Sequence, residues 1–164
     1  MQQKTHIQKG LLIAAILILF KVITHFTHTS FAEWTVFVFG LIILLGVLIS
    51  VVLHKNENNS IGKFTELFSY GFKVTAVITC IYFLFIFLET KLFFPNYIQQ
   101  KFDLRIENMQ NNFKIESLNL NKNLVDAIDK ETKIYFSGTI MSILFLGVIG
   151  SLLGSVITKT KAIN

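Results

Sequence analysis

Charge is the scarcest property of this chain. Asp, Glu, Lys and Arg make up 15% of its 164 residues, where a typical soluble domain carries about 25%. Cysteine occurs once, so an internal disulfide framework is excluded. Proline also occurs once, which leaves long helices uninterrupted. Nine glycines fall far short of the roughly one-third that a collagen-like chain needs. Hydrophobic residues reach 52%, too many for a disordered chain. The sequence also contains no Gly-rich phosphate loop, HExxH, GxSxG or paired CxxC, the local patterns that position phosphates, metals and nucleophiles.

What is present is apolar and aromatic. There are 17 Phe, and the mean hydropathy is +0.60. The net charge of +5 does not make so apolar a chain a nucleic-acid binder, and no nucleic-acid partner is expected. The length fits one membrane domain over residues 1–164.

A bilayer core about 30 Å thick takes roughly 20 apolar residues in helical form. Residues 34–53 and 134–158 are uncharged runs of that length, and the one charge within 68–88, Lys73, lies near its end. Residues 10–27 form a fourth candidate, interrupted by Lys21. Read as a signal peptide, this stretch would start at Lys4 and Lys9 and be cleaved near Ser30-Phe31-Ala32. That site lies beyond Lys21 and two histidines, so a spanning helix with a snorkelling lysine is the preferred reading. The expected fold class is all-α: an integral membrane bundle of four transmembrane helices with an extracytoplasmic helical hairpin between helices three and four.

Orientation follows from the short loops. With the N-terminus inside, Lys4, Lys9, Lys55, Lys63, Lys159 and Lys161 all fall on the inner side, with Lys73 near the interface. The loop between helices one and two has only Glu33. Positive residues in short loops set topology, so both termini are expected to be cytoplasmic. Trp34, Tyr70 and Tyr135 fall at helix ends, where amphipathic rings favour the interface.

Two stretches outside the spans are patterned. From Ser60 to Lys73, Ile61, Phe64, Phe68 and Phe72 form a helical stripe that Ser60 can cap. It reads either as a short amphipathic helix on the inner surface or as the lead-in of helix three. The polar segment 95–133 opens on Pro95, and Ile98, Phe102, Ile106, Met109 and Phe113 keep a second stripe. Asn119, Asn121 and Asn123 interrupt it, and Leu124, Val125 and Ile128 continue a new helix towards helix four. These halves form the expected external hairpin, whose stripes need each other or a partner for burial.

The stretch Ser60-Ile61-Gly62-Lys63-Phe64-Thr65-Glu66-Leu67-Phe68-Ser69-Tyr70-Gly71-Phe72 leads into helix three, and Pro95 follows that helix. Helix four ends Gly150-Ser151-Leu152-Leu153-Gly154-Ser155, followed by Lys159 and Lys161. Together these features resemble the domain of unknown function 4199 (DUF4199) family of small bacterial membrane proteins, over nearly the whole chain. The resemblance implies four helices in a bacterial inner membrane and no established activity.

Lys21, His25 and His28 follow at spacings of four and three and share one helix face, with Glu33 just beyond. Two imidazoles and a carboxylate suit a metal, but a lysine beside them does not, and a wet helix end accounts for the same residues. No metal, cofactor or catalytic residue is assigned. Lys21 is expected to face the bundle interior, with Glu33 a nearer partner in sequence than Glu89. In helix four, Gly150 and Gly154 make one row of small residues, and Gly147, Ser151 and Ser155 make a second. Such rows let backbones approach closely in lipid; packing within the chain is preferred over a homodimer face. Cys80, with no base or cation nearby in sequence, is expected to be buried and inert.

The functional expectation is a non-enzymatic integral membrane protein, a structural or interaction partner in the cell envelope. Its partners would be the bilayer and either a second copy or another membrane protein. The alternative is a small transporter or channel subunit, although the spans lack the Asp, Glu and Pro common at transport sites.

Overall fold

The computed structural model describes residues 5–27, 29–30, 32–58, 63–94, 96–113 and 124–160. They form helices α1 (Thr5–Phe26), α2 (Glu33–Asn58), α3 (Phe64–Leu88), α4 (Tyr97–Phe113) and α5 (Leu124–Thr160), with a π-helical turn at Glu89–Phe93. There is no strand among the described residues. Among the described residues, four helical stretches are long and apolar enough to cross a membrane: Thr5–Phe26, Glu33–Glu57, Phe64–Phe93 and Ile128–Thr158. At about 1.5 Å per residue each exceeds the ~30 Å of a bilayer core. The regular structure of the described residues is thus entirely helical and compatible with a multi-pass membrane protein. The termini of α2 suit its dipole, since Glu33 stands in the first turn and Lys55 in the last.

Two compact units divide the chain. The first comprises residues 1–83 and 140–164, and so contains α1, α2, most of α3 and the C-terminal part of α5. Its interior combines small and β-branched side chains with a few larger ones, Leu17, Leu67, Tyr70 and Tyr82. Ala14 and Leu17 on α1, Ile43, Val47 and Val51 on α2, Val74, Thr75 and Ile78 on α3, and Ile143 and Ser151 on α5 are all inaccessible. Their spacings of three, four and eight residues lay them along single helix faces. Other large apolar side chains point the other way: Leu12, Leu19, Val36, Phe37, Met141 and Phe145 are between 61 and 74% exposed. In water so large an apolar surface would drive association. Among acyl chains it costs nothing, and tight packing of small residues is what holds helices together.

Most hydroxyls buried along the helices of this unit bond within their own helix, whereas Ser30 Oγ, between α1 and α2, is buried without a hydrogen-bond partner. Ser50 donates to the Gly46 carbonyl, Thr75 to Gly71, Ser151 to Gly147, Ser155 to Ser151 and Thr158 to Gly154, at 2.7–3.0 Å. Each bond reaches back four residues, so burial leaves no hydroxyl of this set unmatched.

The start of helix three differs from one of the two sequence readings. Residues from Phe64 onward belong to α3 itself, which runs unbroken to Leu88; Ser60, Ile61 and Gly62 lie outside the described residues. Nor does the phenylalanine stripe mark the interior. Phe72 is 47% exposed, while Leu67, Tyr70, Val74 and Ile78 are buried. A water-facing helix is oriented by its apolar stripe, but lipid is as apolar as phenylalanine, so side-chain size and fit decide instead.

The second unit, Leu84–Thr139, holds the end of α3, the π-helical turn, α4 and the N-terminal part of α5. The turn is closed by the Phe94 amide donating to the Glu89 carbonyl at 2.7 Å. Helix α5 runs without a break through Leu124–Thr160, so the second polar helical segment and the fourth span are one element. Pro95 and the asparagines at 119, 121 and 123 lie outside the described residues.

Candidate functional site

The small residues of α5 meet two different helices of the first unit. A Cβ added to Gly150 would lie 2.8 Å from the Leu44 carbonyl oxygen and 3.2 Å from Val47 Cβ. One on Gly154 would lie 2.9 Å from Val51 Cβ. The Gly150–Gly154 row therefore abuts α2. The second row turns to α3: Gly147 abuts Thr75, and Ser151 fits against Gly71. Gly10 performs the same role on α1, where an added Cβ would sit 2.7 Å from Val77 Cβ on α3.

One end of this unit carries a polar and aromatic cluster. The Lys9 ammonium, near the start of α1, pairs with Glu57 at the end of α2 at 2.9 Å. One helical turn before Glu57, the His54 imidazole stacks on the Tyr70 ring, with centroids 3.7 Å apart and planes 7° apart. His6 meets the same ring edge-on at 6.3 Å, and the Lys9 ammonium lies 5.8 Å from its centroid. The Tyr70 hydroxyl reaches Thr5 Oγ1 at 3.4 Å. Lys55 donates to the Thr158 carbonyl near the end of α5, one of the carbonyls that a helix C-terminus leaves unpaired. The beginnings of α1 and α3 and the ends of α2 and α5 are thereby tied together. Tyr70 is 6% exposed, so it serves inside the unit rather than as the interfacial ring expected from its place at a helix end.

A second cluster lies within the unit Leu84–Thr139. Glu89, the first residue of the π-helical turn, is 1% exposed and accepts a bond from the Tyr135 hydroxyl at 3.3 Å. Tyr97 packs on Tyr135 with centroids 5.7 Å apart. The Lys101 ammonium sits 4.4 Å from the centroid of the Tyr135 ring, within cation–π range. Glu131, one turn before Tyr135 on α5, is buried as well. The pairs Tyr97/Lys101 and Glu131/Tyr135 each share a helix face through their i,i+4 spacing.

The residues singled out by sequence are placed as follows. Lys21 and His25 are half-buried on α1, Glu33 is exposed at the start of α2, and His28 lies outside the described residues. The Lys21 carbonyl accepts a bond from Thr24 Oγ1 at 2.9 Å. Among the described residues no three His, Cys, Asp or Glu side chains gather as a metal site would require. Cys80 corrects an expectation: it is exposed on α3 rather than buried, because the tightly packed face of that helix is the one carrying Val74, Thr75 and Ile78. Sequence reasoning passed over His54, Tyr70, Tyr97 and Tyr135 as partners. The one signal available was position: His54, Tyr70 and Tyr97 stand in the first or last two turns of a helix, and Tyr135 at the start of the apolar run 134–158, each with a charged residue nearby.

No curated protein and no solved structure matches the chain. Residues 8–160 match the family described as "Protein of unknown function (DUF4199)", and the chain belongs to that family.

Proposed function

We propose that this chain is a non-enzymatic, multi-pass protein of the bacterial inner membrane that acts as a structural or interaction partner. Both termini lie on the cytoplasmic side, and an external hairpin is formed by α4 and the start of α5. The observation that carries the reading is the apolar outside of the first unit. Leu12, Leu19, Ile23, Val36, Phe37, Met141 and Phe145 are all more than half exposed on its helices, as suits a helix bundle solvated by lipid. The shared end of α1, α2, α3 and α5, tied by Lys9–Glu57, His54–Tyr70 and Lys55–Thr158, supports termini on one side. The lysines that flank it support that side being cytoplasmic. Affinity purification of the full chain in mild detergent tests the role. A reproducible membrane-protein partner or a defined homo-oligomer is expected, and a chain that always elutes alone and monomeric would contradict it.

A small transporter or channel subunit is the second reading, favoured by Lys21, which is half-buried in an otherwise apolar stretch of α1. Flux in proteoliposomes that is lost in Lys21→Leu would favour it. Flux undiminished in that variant would remove the residue on which it rests.

A further inference from the structure

Where α1 and α3 begin and α2 ends, three basic groups gather around one ring and one carboxylate. The Lys9 ammonium donates to both oxygens of Glu57, at 3.0 and 2.9 Å. The Tyr70 ring is shared by His54 stacked on it at 3.7 Å, His6 edge-on at 6.3 Å and the Lys9 ammonium at 5.8 Å. His54 follows the apolar run 34–53 and is half-buried. Lys9 and His6 face it from α1, and Glu57 from its own helix, three residues on and one turn away. Lys55, also on α2, is turned to the Thr158 carbonyl of α5. Tyr70 meets it from α3, with Glu66 and Lys73 exposed one turn to either side. Burial, and next the Lys9 charge, hold the His54 imidazole below the usual histidine range; Glu57 pulls the other way, and His6 adds to the lowering.

Glu57 thus has two bases within reach. While His54 is neutral, the carboxylate belongs to Lys9 and ties α2 to α1. A proton on His54 sets a second cation one turn from that carboxylate and beside the Lys9 ammonium, which it repels. We propose that this end is an acid-released clasp: protonation of His54 draws Glu57 away from Lys9 and loosens the first turn of α1 from α2 and α3. The release stops at Gly10, which abuts Val77 of α3 too closely to admit a Cβ. Above the ordinary histidine value of about 6.5 the imidazole is neutral and the clasp is at full strength. The folded chain holds this proton less well than the unfolded chain does, so the stability the clasp contributes is lost as pH falls below that value. The inference goes beyond the membrane reading and does not depend on which side of the bilayer this end faces.

The test is a double-mutant cycle of Lys9→Met and Glu57→Gln, read by thermal unfolding of the full chain in detergent. It is run at about pH 7.5 and about pH 5, on either side of the ordinary histidine value and above the ordinary carboxylate range. The cycle is repeated in His54→Phe, which keeps a ring to stack on Tyr70 but takes no proton. With His54 present, the Lys9–Glu57 coupling should roughly halve on acidification; in His54→Phe it should be the same at both pH values. His54→Gln is the second proton-free background should the phenylalanine variant fail to fold, and the cycle with His54 present decides by itself if neither folds. A coupling that acidification leaves unchanged would overturn the proposal. So would a coupling that falls equally in His54→Phe, because the proton would then act at another group.

Discussion

Gly150 on α5 lies so close to α2 that a single added carbon would stand 2.8 Å from the Leu44 carbonyl oxygen. Backbone cannot step aside as a side chain can, so any larger residue must push the two helices apart. Gly150→Leu should therefore lower stability in detergent by roughly 1–3 kcal/mol, the usual cost of overpacking. Gly138, on the same helix, is the control, since an added Cβ there meets nothing within 4 Å. Gly138→Ala should leave stability unchanged or raise it by up to about 1 kcal/mol through helix propensity. Thermal unfolding of both variants checks this; an unchanged Gly150→Leu protein would refute the close packing.

The His54–Tyr70 stack links α2 to the start of α3. Its parallel geometry should give a coupling of about 0.5–1.5 kcal/mol in a double-mutant cycle with alanine at both positions. Tyr70→Phe keeps the ring and loses only the long 3.4 Å contact to Thr5, so it should cost little. Additive single mutants would show that the rings merely lie together.

The Lys9–Glu57 pair is partly open to solvent, with side-chain exposures of 18% and 47%. Its coupling should be no more than about 1 kcal/mol and should shrink as salt is raised. A cycle of Lys9→Met and Glu57→Gln at low and high salt measures it. A coupling that is indifferent to salt would contradict this exposure.

Much of the fold was legible in the sequence because a spanning helix is mostly a matter of length and composition. The four apolar stretches follow from those features, the family from the resemblance carried by residues 60–72, Pro95 and the end of helix four, and the close-packed glycines stand in the rows that their spacing defines. What could not be read was which face of each helix turns inward. In lipid the apolar stripe loses that meaning: Phe72 of the Phe64/Phe68/Phe72 stripe is exposed, and Cys80, expected to be buried, lies on the exposed side. The two aromatic clusters were hidden for a different reason. His54 meets Tyr70, and Glu89 meets Tyr135, across long stretches of chain, and no local periodicity encodes such pairs.

Cys80 gives a probe that needs no engineering, since it is the sole cysteine and is exposed midway along α3. A thiol surrounded by acyl chains is out of reach of a reagent that stays in water. In native membranes Cys80 should resist a water-soluble maleimide and become reactive once the protein is unfolded in sodium dodecyl sulfate. Rapid labelling in intact membranes would place this face of α3 against water and favour a pore.

The central claim is that the chain crosses the bilayer four times with both ends inside, and reporter fusions test it most directly. Fusions after Lys161 should read as cytoplasmic and fusions within residues 109–121 as external. An external reading after Lys161 would contradict the account, because it requires either an odd number of crossings or an inverted bundle.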